Sequence, residues 1–416
     1  MLSELTTEIQ KSCALHCPKN EHVLVLQDTS EVNYHAHNGR FKVNDPHLGV
    51  LSNNISTGLL AHAGLAVSAS TELPIGLSYI EINHRPFDRT PVTSHQREQL
   101  PLKDKESYRW LQTVEQSRKC LSDASQVTVI GDRESDIYEL FACRADSQTH
   151  ILVRNYNDRK TASGKKISNH FDEKQWEGEK VVTLVGNQHR PTRQATLQFR
   201  WTELNLAPPD KRKKLLQDYP MVNLWGVEVM EIPASVPEGE EGIHWRLLTT
   251  HPVVDLEMAN QITHWYSLRW LIEELFRILK QGLNVEKSQF ETGIALKKLL
   301  TLSLHASWKI LLMKQNRLNT HQLDADICFS AQQIQCLQAL QPGLQGKTNK
   351  QQNPFKVDSL AWAAWLIARL GGWKPAPLDK RPFGVVSLAR GMQVFQNQFN
   401  GWLVAMNMKN SNTFPT

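Results

Sequence analysis

Four residues of unlike chemistry recur at helical spacing in the last third of the chain: Tyr266, Arg269, Glu273 and Lys280, separated by three, four and seven positions. At ~100° per residue they project near 0°, −60°, −20° and −40°, one stripe about 20 Å long. Leu268, Leu271, Ile272, Leu275 and Leu279 fall off that stripe. An aromatic hydroxyl, a guanidinium, a carboxylate and an ammonium in a row suit an extended polyanion crossing a helix, with the carboxylate free to bind a cation. The same spacing also fits a plain solvated face, because Arg269 and Glu273 form an i,i+4 pair worth only a few tenths of a kcal/mol.

Two further acids give that glutamate company. The run His22-Val-Leu-Val-Leu-Gln ends on Asp28, and the run Gln126-Val-Thr-Val-Ile-Gly ends on Asp132. Carboxylates from two strand ends and one helix can converge on hard divalent cations, which take oxygen ligands. Strand-terminal aspartate is also common in turns.

The elements needed to position these residues are legible as periodicity. Strands starting at His22 and covering 73–82 suggest a meander of about three strands. A helix over 105–121 carries Trp110, Leu111, Val114 and Leu121. The strand at 126–131, a helix over 135–144 with a serine cap, and a strand at 150–154 follow. Strands first and strand-helix alternation next predict an α/β fold with a mixed sheet.

From 155 to 244 the text alternates in the β manner, as in 181–185 and 194–199, around basic loops such as 211–214, which predicts an all-β insertion. Beyond Leu256 it turns helical: one long helix over 259–281, another over 294–313, a polar loop at 341–356, and apolar-faced helices over 358–370 and 386–406. The expected boundaries are a lead segment 1–21, a first core part 22–154, the insertion 155–244, a second core part 245–315 and a helical region 316–416. In the last of these, Trp362, Trp365, Leu366 and Leu370 form an apolar stripe that either packs inward or joins subunits.

Composition narrows the field without deciding it. The chain has 416 residues, 40% hydrophobic and 21% charged, with a formal net charge of +5, which excludes collagen, bulk disorder and a disulfide scaffold. A nucleic-acid footprint would have to come from local clustering. No apolar run reaches the ~18 residues of a membrane span, no signal peptide is legible, and six scattered cysteines read as reduced thiols, so a cytoplasmic protein is expected. Cys13 and Cys17 with His16 and His22 lack a second pair at zinc-finger spacing. His35 and His37, two apart on one expected strand face, are too few to argue for a metal.

The string Tyr266-Ser-Leu-Arg269-Trp-Leu-Ile-Glu273, followed by Lys280, resembles the Y-x2-R-x3-E-x6-K signature of bacterial insertion-sequence DDE transposases, the hairpin-forming cut-and-paste group. Asp28-Thr29 is similar to the segment of the first catalytic aspartate of that family. Gly131-Asp132-Arg133-Glu134-Ser135-Asp136 is similar to the second, and Arg381-Pro382, Gly384 and Arg390-Gly391 to the C-terminal region.

The resemblance implies a ribonuclease-H-like core interrupted by a β insertion, with Asp28, Asp132 and Glu273 catalytic and holding two Mg2+ (or Mn2+) ions. Register prefers Asp132 over Glu134 and Asp136, and Glu273 over Glu274. Tyr266, Arg269, Lys280 and Arg154 are the implied DNA contacts, and Trp245 the implied acceptor of a base flipped from the duplex. The implied partners are double-stranded transposon-end and target DNA and a second subunit in a homodimer, with the chain associated with the bacterial nucleoid.

Family members carry an end-recognition domain ahead of the first aspartate, and only 27 residues precede Asp28. The chain is therefore expected to be N-terminally shortened or assigned from an internal methionine. It would act either as an active transposase or as a non-catalytic partner that inhibits full-length subunits through unproductive dimers. A stand-alone ribonuclease-H-like nuclease is disfavoured by Lys280 and Trp245.

Overall fold

The computed structural model describes residues 2–87, 93, 96, 99–142, 146–184, 186, 191–209, 219–317, 319–375 and 383–411. Arg144, Val185, the basic run 211–214 and the Arg381-Pro382 pair lie outside the described residues.

Strands β1 (His22–Asn33), β2 (Thr57–Ser68) and β3 (Pro74–Asn83) form an antiparallel meander. Strands β4 (Gln126–Gly131) and β5 (Thr149–Arg154) follow in parallel beside β1. The order β3-β2-β1-β4-β5, with its switch from antiparallel to parallel pairing, is a ribonuclease-H-like arrangement within a mixed α/β sheet. Both faces of the central strands are covered. Leu24 and Leu26 of β1 join one apolar cluster with Ile130, while Val23 and Val25 join another with Val127 and Val129. Burial on both sides is why these strands read as nearly continuous apolar runs.

Helix α1 (Leu2–Leu15) and helix α2 (Tyr108–Cys120) contribute Cys13 and Trp110, Leu111 and Val114 to the second cluster. The expected lead segment is thus a helix built into the core. It can approach β3 because position 76 is glycine, where an added Cβ would sit 2.7 Å from that of Cys13. The expected helix over 135–144 begins later: a 3-10 turn at Arg133–Ser135 precedes α3 (Tyr138–Ala142). Asp132 caps that turn. His35 and His37 lie in a 3-10 turn, His35–Arg40, and share no strand face.

The segment 155–244 contains a short helix, α4 (Ile167–Asp172), and strands β6 (Gly178–Leu184), β7 (Arg193–Leu206) and β8 (Val222–Glu231). Strand β9 (His244–Thr249) pairs antiparallel with both β5 and β8. The insertion therefore does not stand apart as a β unit. It extends the core's own sheet to ten strands, counting the two-residue strand Gly49–Val50.

The long helix expected over 259–281 is broken. Helix α5 (Leu256–Ser267) ends, α6 (Trp270–Arg277) begins after Arg269, and a π turn, Ile278–Gly282, closes the run. Projection at ~100° per residue does not hold across a break and a π turn, so the four signature residues are not one straight stripe. Helix α7 (Gly293–Asn316) is close to expectation, and α8 (Ala331–Leu344), α9 (Leu360–Leu370) and α10 (Val385–Ser411) complete the chain.

Helix α9 removes one of the two readings of the tryptophan stripe. Trp362 and Leu366 are fully buried, Trp365 is 2% exposed, and Leu370 packs on the same core. The Trp362 indole N–H donates to Gln341 Oε1 of α8 at 2.9 Å. This stripe is interior and offers no surface to a second subunit. Trp362→Ala is accordingly expected to lower the unfolding free energy by about 3–5 kcal/mol in a urea titration, by the same amount at every protein concentration.

Candidate active site

Strand register sets the site. His22 pairs with Gln126 and Leu26 with Ile130 across the parallel β1·β4 ladder. Two residues further along each strand bring Asp28 level with Asp132, with both side chains on the face that carries Leu24 and Leu26. Asp28 does not end its strand, because β1 runs on to Asn33 against β2. It stands just past the end of the pairing with β4, its side chain 20% exposed.

Each aspartate is oriented by backbone. The Thr29 N–H donates to Asp28 Oδ1 at 2.7 Å, and the Glu134 N–H donates to Asp132 Oδ1 at 2.9 Å. The Ser135 hydroxyl closes the second turn on the Asp132 carbonyl at 2.7 Å. Gly131 makes that turn possible, since a Cβ there would meet Ser135 Oγ at 2.2 Å.

Glu273, in the first turn of α6, enters from the helical layer, half exposed and ion-paired with Arg269. Arg269 also approaches Asp28, with Nη1 3.5 Å from Oδ2, so one guanidinium spans two acids. Burial is the main force raising the Asp28 carboxyl to about 7, with the charge of Asp132 next and Glu273 adding to it. The Thr29 amide and Arg269 pull the other way. Burial works against the Arg269 charge as well, yet Tyr266, Glu273 and Asp28 hold it above its ordinary value.

The acids set aside on register are occupied elsewhere. Asp136 is 1% exposed and accepts from the backbone amides of Tyr156 and Asn157 and from Arg159. Glu274 is fully buried between Arg277 and Lys314, whose ion pairs outweigh burial and hold it below the usual range. Glu134 is 70% exposed and 3.6 Å from Arg109.

Beside the carboxylates runs an aromatic and basic wall. Tyr266 is buried, with Trp245 of β9 edge-on at 5.2 Å between ring centroids and the Arg269 guanidinium 6.0 Å from its ring centre. Arg154, at the end of β5, donates to the His244 carbonyl at 3.2 Å and is held below its ordinary value by burial. Asp28, Asp132, Glu273, Arg269, Tyr266, Trp245 and Arg154 are therefore one neighbourhood. Lys280 sits in the π turn and makes no ion pair among the described residues.

The donor set of carboxylate oxygens is of the kind a hard divalent cation takes, and a cation there would offset the burial and the Asp132 charge that push Asp28 up. Among the described residues no three His, Cys, Asp or Glu side chains stand close enough to share an ion. Arg269 instead supplies the positive charge next to Asp28 and Glu273. The Cys13, Cys17, His16 and His22 set likewise forms no such group.

A raised carboxyl sets the sign of a pH effect. An unfolded chain releases the Asp28 proton near pH ~4, while the folded chain keeps it to about 7. The contribution is thus fully present below pH ~4, is lost as pH rises through 7, and is flat above that. Asp28→Asn, which has no proton to lose, should be more stable than the parent at pH 8 by up to a few kcal/mol, the gap closing towards pH 4. Denaturant titrations in chelator across that range measure it.

Two known proteins or families resemble parts of this chain. The family model described as "Transposase DDE domain" matches residues 103–309, which include Asp132 and Glu273. Among solved structures, the chain is similar to one described as "Cryo-EM structure of piggyBac transposase synaptic complex with hairpin DNA", at 9% identity and a TM-score of 0.34. That match covers 96% of this chain, which spans 58% of the piggyBac transposase chain. Over residues 103–309, just under half of its length, the chain is similar to transposase DDE domains.

Proposed function

We propose that the protein is a metal-dependent DNA transposase that cleaves and joins insertion-sequence ends by a cut-and-paste route through a hairpin intermediate. The observation that carries this reading is the register of β1 and β4, which sets Asp28 beside Asp132 with Glu273 tied to Asp28 through Arg269. Asp28, Asp132 and Glu273 are the residues that would hold Mg2+ (or Mn2+). When bound, the metal supplies Lewis-acid polarisation of the scissile phosphodiester.

The chain's own groups divide the remaining work. The Thr29 and Glu134 amides aim the two aspartates. Arg269 compensates the carboxylates at rest and, once released from Glu273, can donate to a phosphate. Tyr266 and Arg154 flank the strand's path, and Lys280 reaches the backbone from the π turn. Trp245, half-buried and edge-on to Tyr266, offers an indole on which an extruded base can stack, for ~1–3 kcal/mol. Cutting two ends together requires two such sites, so the partners are duplex DNA and a second copy of the chain. The alternative is unproductive dimerisation with a longer relative, which would show as excision by that relative falling as the dose of this chain rises.

The substrate to use is duplex carrying the DNA that borders the protein's own coding segment. Glu273→Gln should lower Mg2+-dependent nicking by more than the ~10–100-fold that follows loss of an outer-shell partner. A near-parental rate would refute the metal assignment. Trp245→Ala should spare the first nick and depress hairpin formation, with 2-aminopurine fluorescence at the terminal base reporting extrusion. Equal signals from parent and variant would remove the role.

A further inference from the structure

We propose that His62 is a positioning residue for Asp28: a neutral imidazole on the far face of the sheet that fixes Thr29 and, through the Thr29 amide, the carboxylate. The proposal rests on the metal-dependent reading above.

Thr29 and His62 lie directly opposite one another in the β1·β2 ladder. Neighbouring residues of a strand point to opposite faces, so this pair stands behind the site while Asp28 stands in it. The Thr29 hydroxyl is 2.8 Å from His62 Nδ1, and the Thr113 hydroxyl of α2 is 2.7 Å from His62 Nε2.

Proton counting assigns the direction of the chain, since the distances alone fit either tautomer. Thr113 spends its one hydroxyl proton on the Arg109 carbonyl, at 3.0 Å. Towards His62 it can only accept, so Nε2 carries the hydrogen. The neutral ring then presents a bare Nδ1, and the Thr29 hydroxyl donates to it. Trp110 and Tyr79 pack edge-on at 4.9 and 5.9 Å, and His62 is 2% exposed, so the ring has no room to turn. Burial and then the Arg109 charge push its pKa down to about 3, against a hydrogen bond with the Asp28 backbone that raises it.

Held by its hydroxyl, Thr29 presents its backbone N–H to Asp28 Oδ1 at 2.7 Å. Helix α2 reaches the second aspartate too, through Arg109 and Glu134, but Glu134 is 70% exposed and such a pair contributes little. The buried arm through His62 is the stronger support.

The test reads metal binding apart from catalysis, as the Mn2+ concentration that half-saturates the thermal shift of the intact chain. His62→Phe keeps the aromatic volume but cannot accept from Thr29, and its half-saturation should rise by about 10-fold. Asn at 62 can accept through its amide oxygen near the Nδ1 position, so His62→Asn should recover most of that loss. Thr29→Val should match His62→Phe, and the double variant should lose no more than either single one. In histidine-labelled protein, the 15N signals assigned by His62→Asn should show Nε2 protonated and Nδ1 bare.

Unchanged half-saturation in His62→Phe, or in Thr29→Val should the histidine variant not fold, would overturn the proposal. So would a His62→Asn variant no better than His62→Phe, or the opposite tautomer. Glu273→Gln separates the two levels. If it cleaves normally, the metal reading falls; if it is inactive while the Thr29 and His62 variants bind Mn2+ as the parent does, only the positioning role falls.

Discussion

Like charge held at a spacing that cannot relax is the constraint around which this molecule is arranged. Parallel strands lie ~4.8 Å apart, and the β1·β4 register sets two aspartates at the same height on them. Those strands are buried on both faces, so neither can slide without turning its apolar side chains to the wrong layer. Compensation must come from elsewhere: a proton kept on Asp28, two backbone amides, and the one guanidinium placed by the break between α5 and α6. A continuous helix through Arg269, as periodicity suggests, is replaced by two helices meeting at the residue that neutralises the acids.

Acids close in sequence and alike in type are separated here by what surrounds them. Glu273 and Glu274 are adjacent, yet one is 51% exposed beside Arg269 and the other fully buried between two cations. Removing a partner from such a buried pair costs about 3–5 kcal/mol, whereas an exposed i,i+4 pair contributes a few tenths. Glu274 belongs to the stability of the helical layer, and Glu273 is free to change partners. Asp136 and Asp132 divide in the same way, the first enclosed by amides and Arg159, the second open at the end of β4.

Most of the core was legible because the signals were local. Apolar runs ending on Asp28 and Asp132, the helix carrying Trp110 and Val114, and the helix over Gly293–Asn316 all follow from period and composition. What was not legible depends on pairing between distant segments. Nothing within 155–244 says that β8 will hydrogen-bond to β9, itself paired with β5, and so continue the core's sheet. The buried α9 and an interface helix have the same apolar period, and only packing against α8 tells them apart. The Thr113, His62 and Thr29 relay escaped for that reason too, since its members come from a helix and two strands far apart in the chain.

The continuous sheet also has a consequence for how the protein is made. The outer edge of β5 is completed by β9, with Leu247 opposite Arg154, so its partner is synthesised about ninety residues later. At ~5–20 residues per second of translation, that edge waits roughly 5–20 s on the ribosome with its backbone donors and acceptors unpaired. The interval is long beside the microseconds a hairpin needs. Within it the nascent chain exposes a template for pairing with neighbouring chains, and slower synthesis through 155–244 prolongs that exposure.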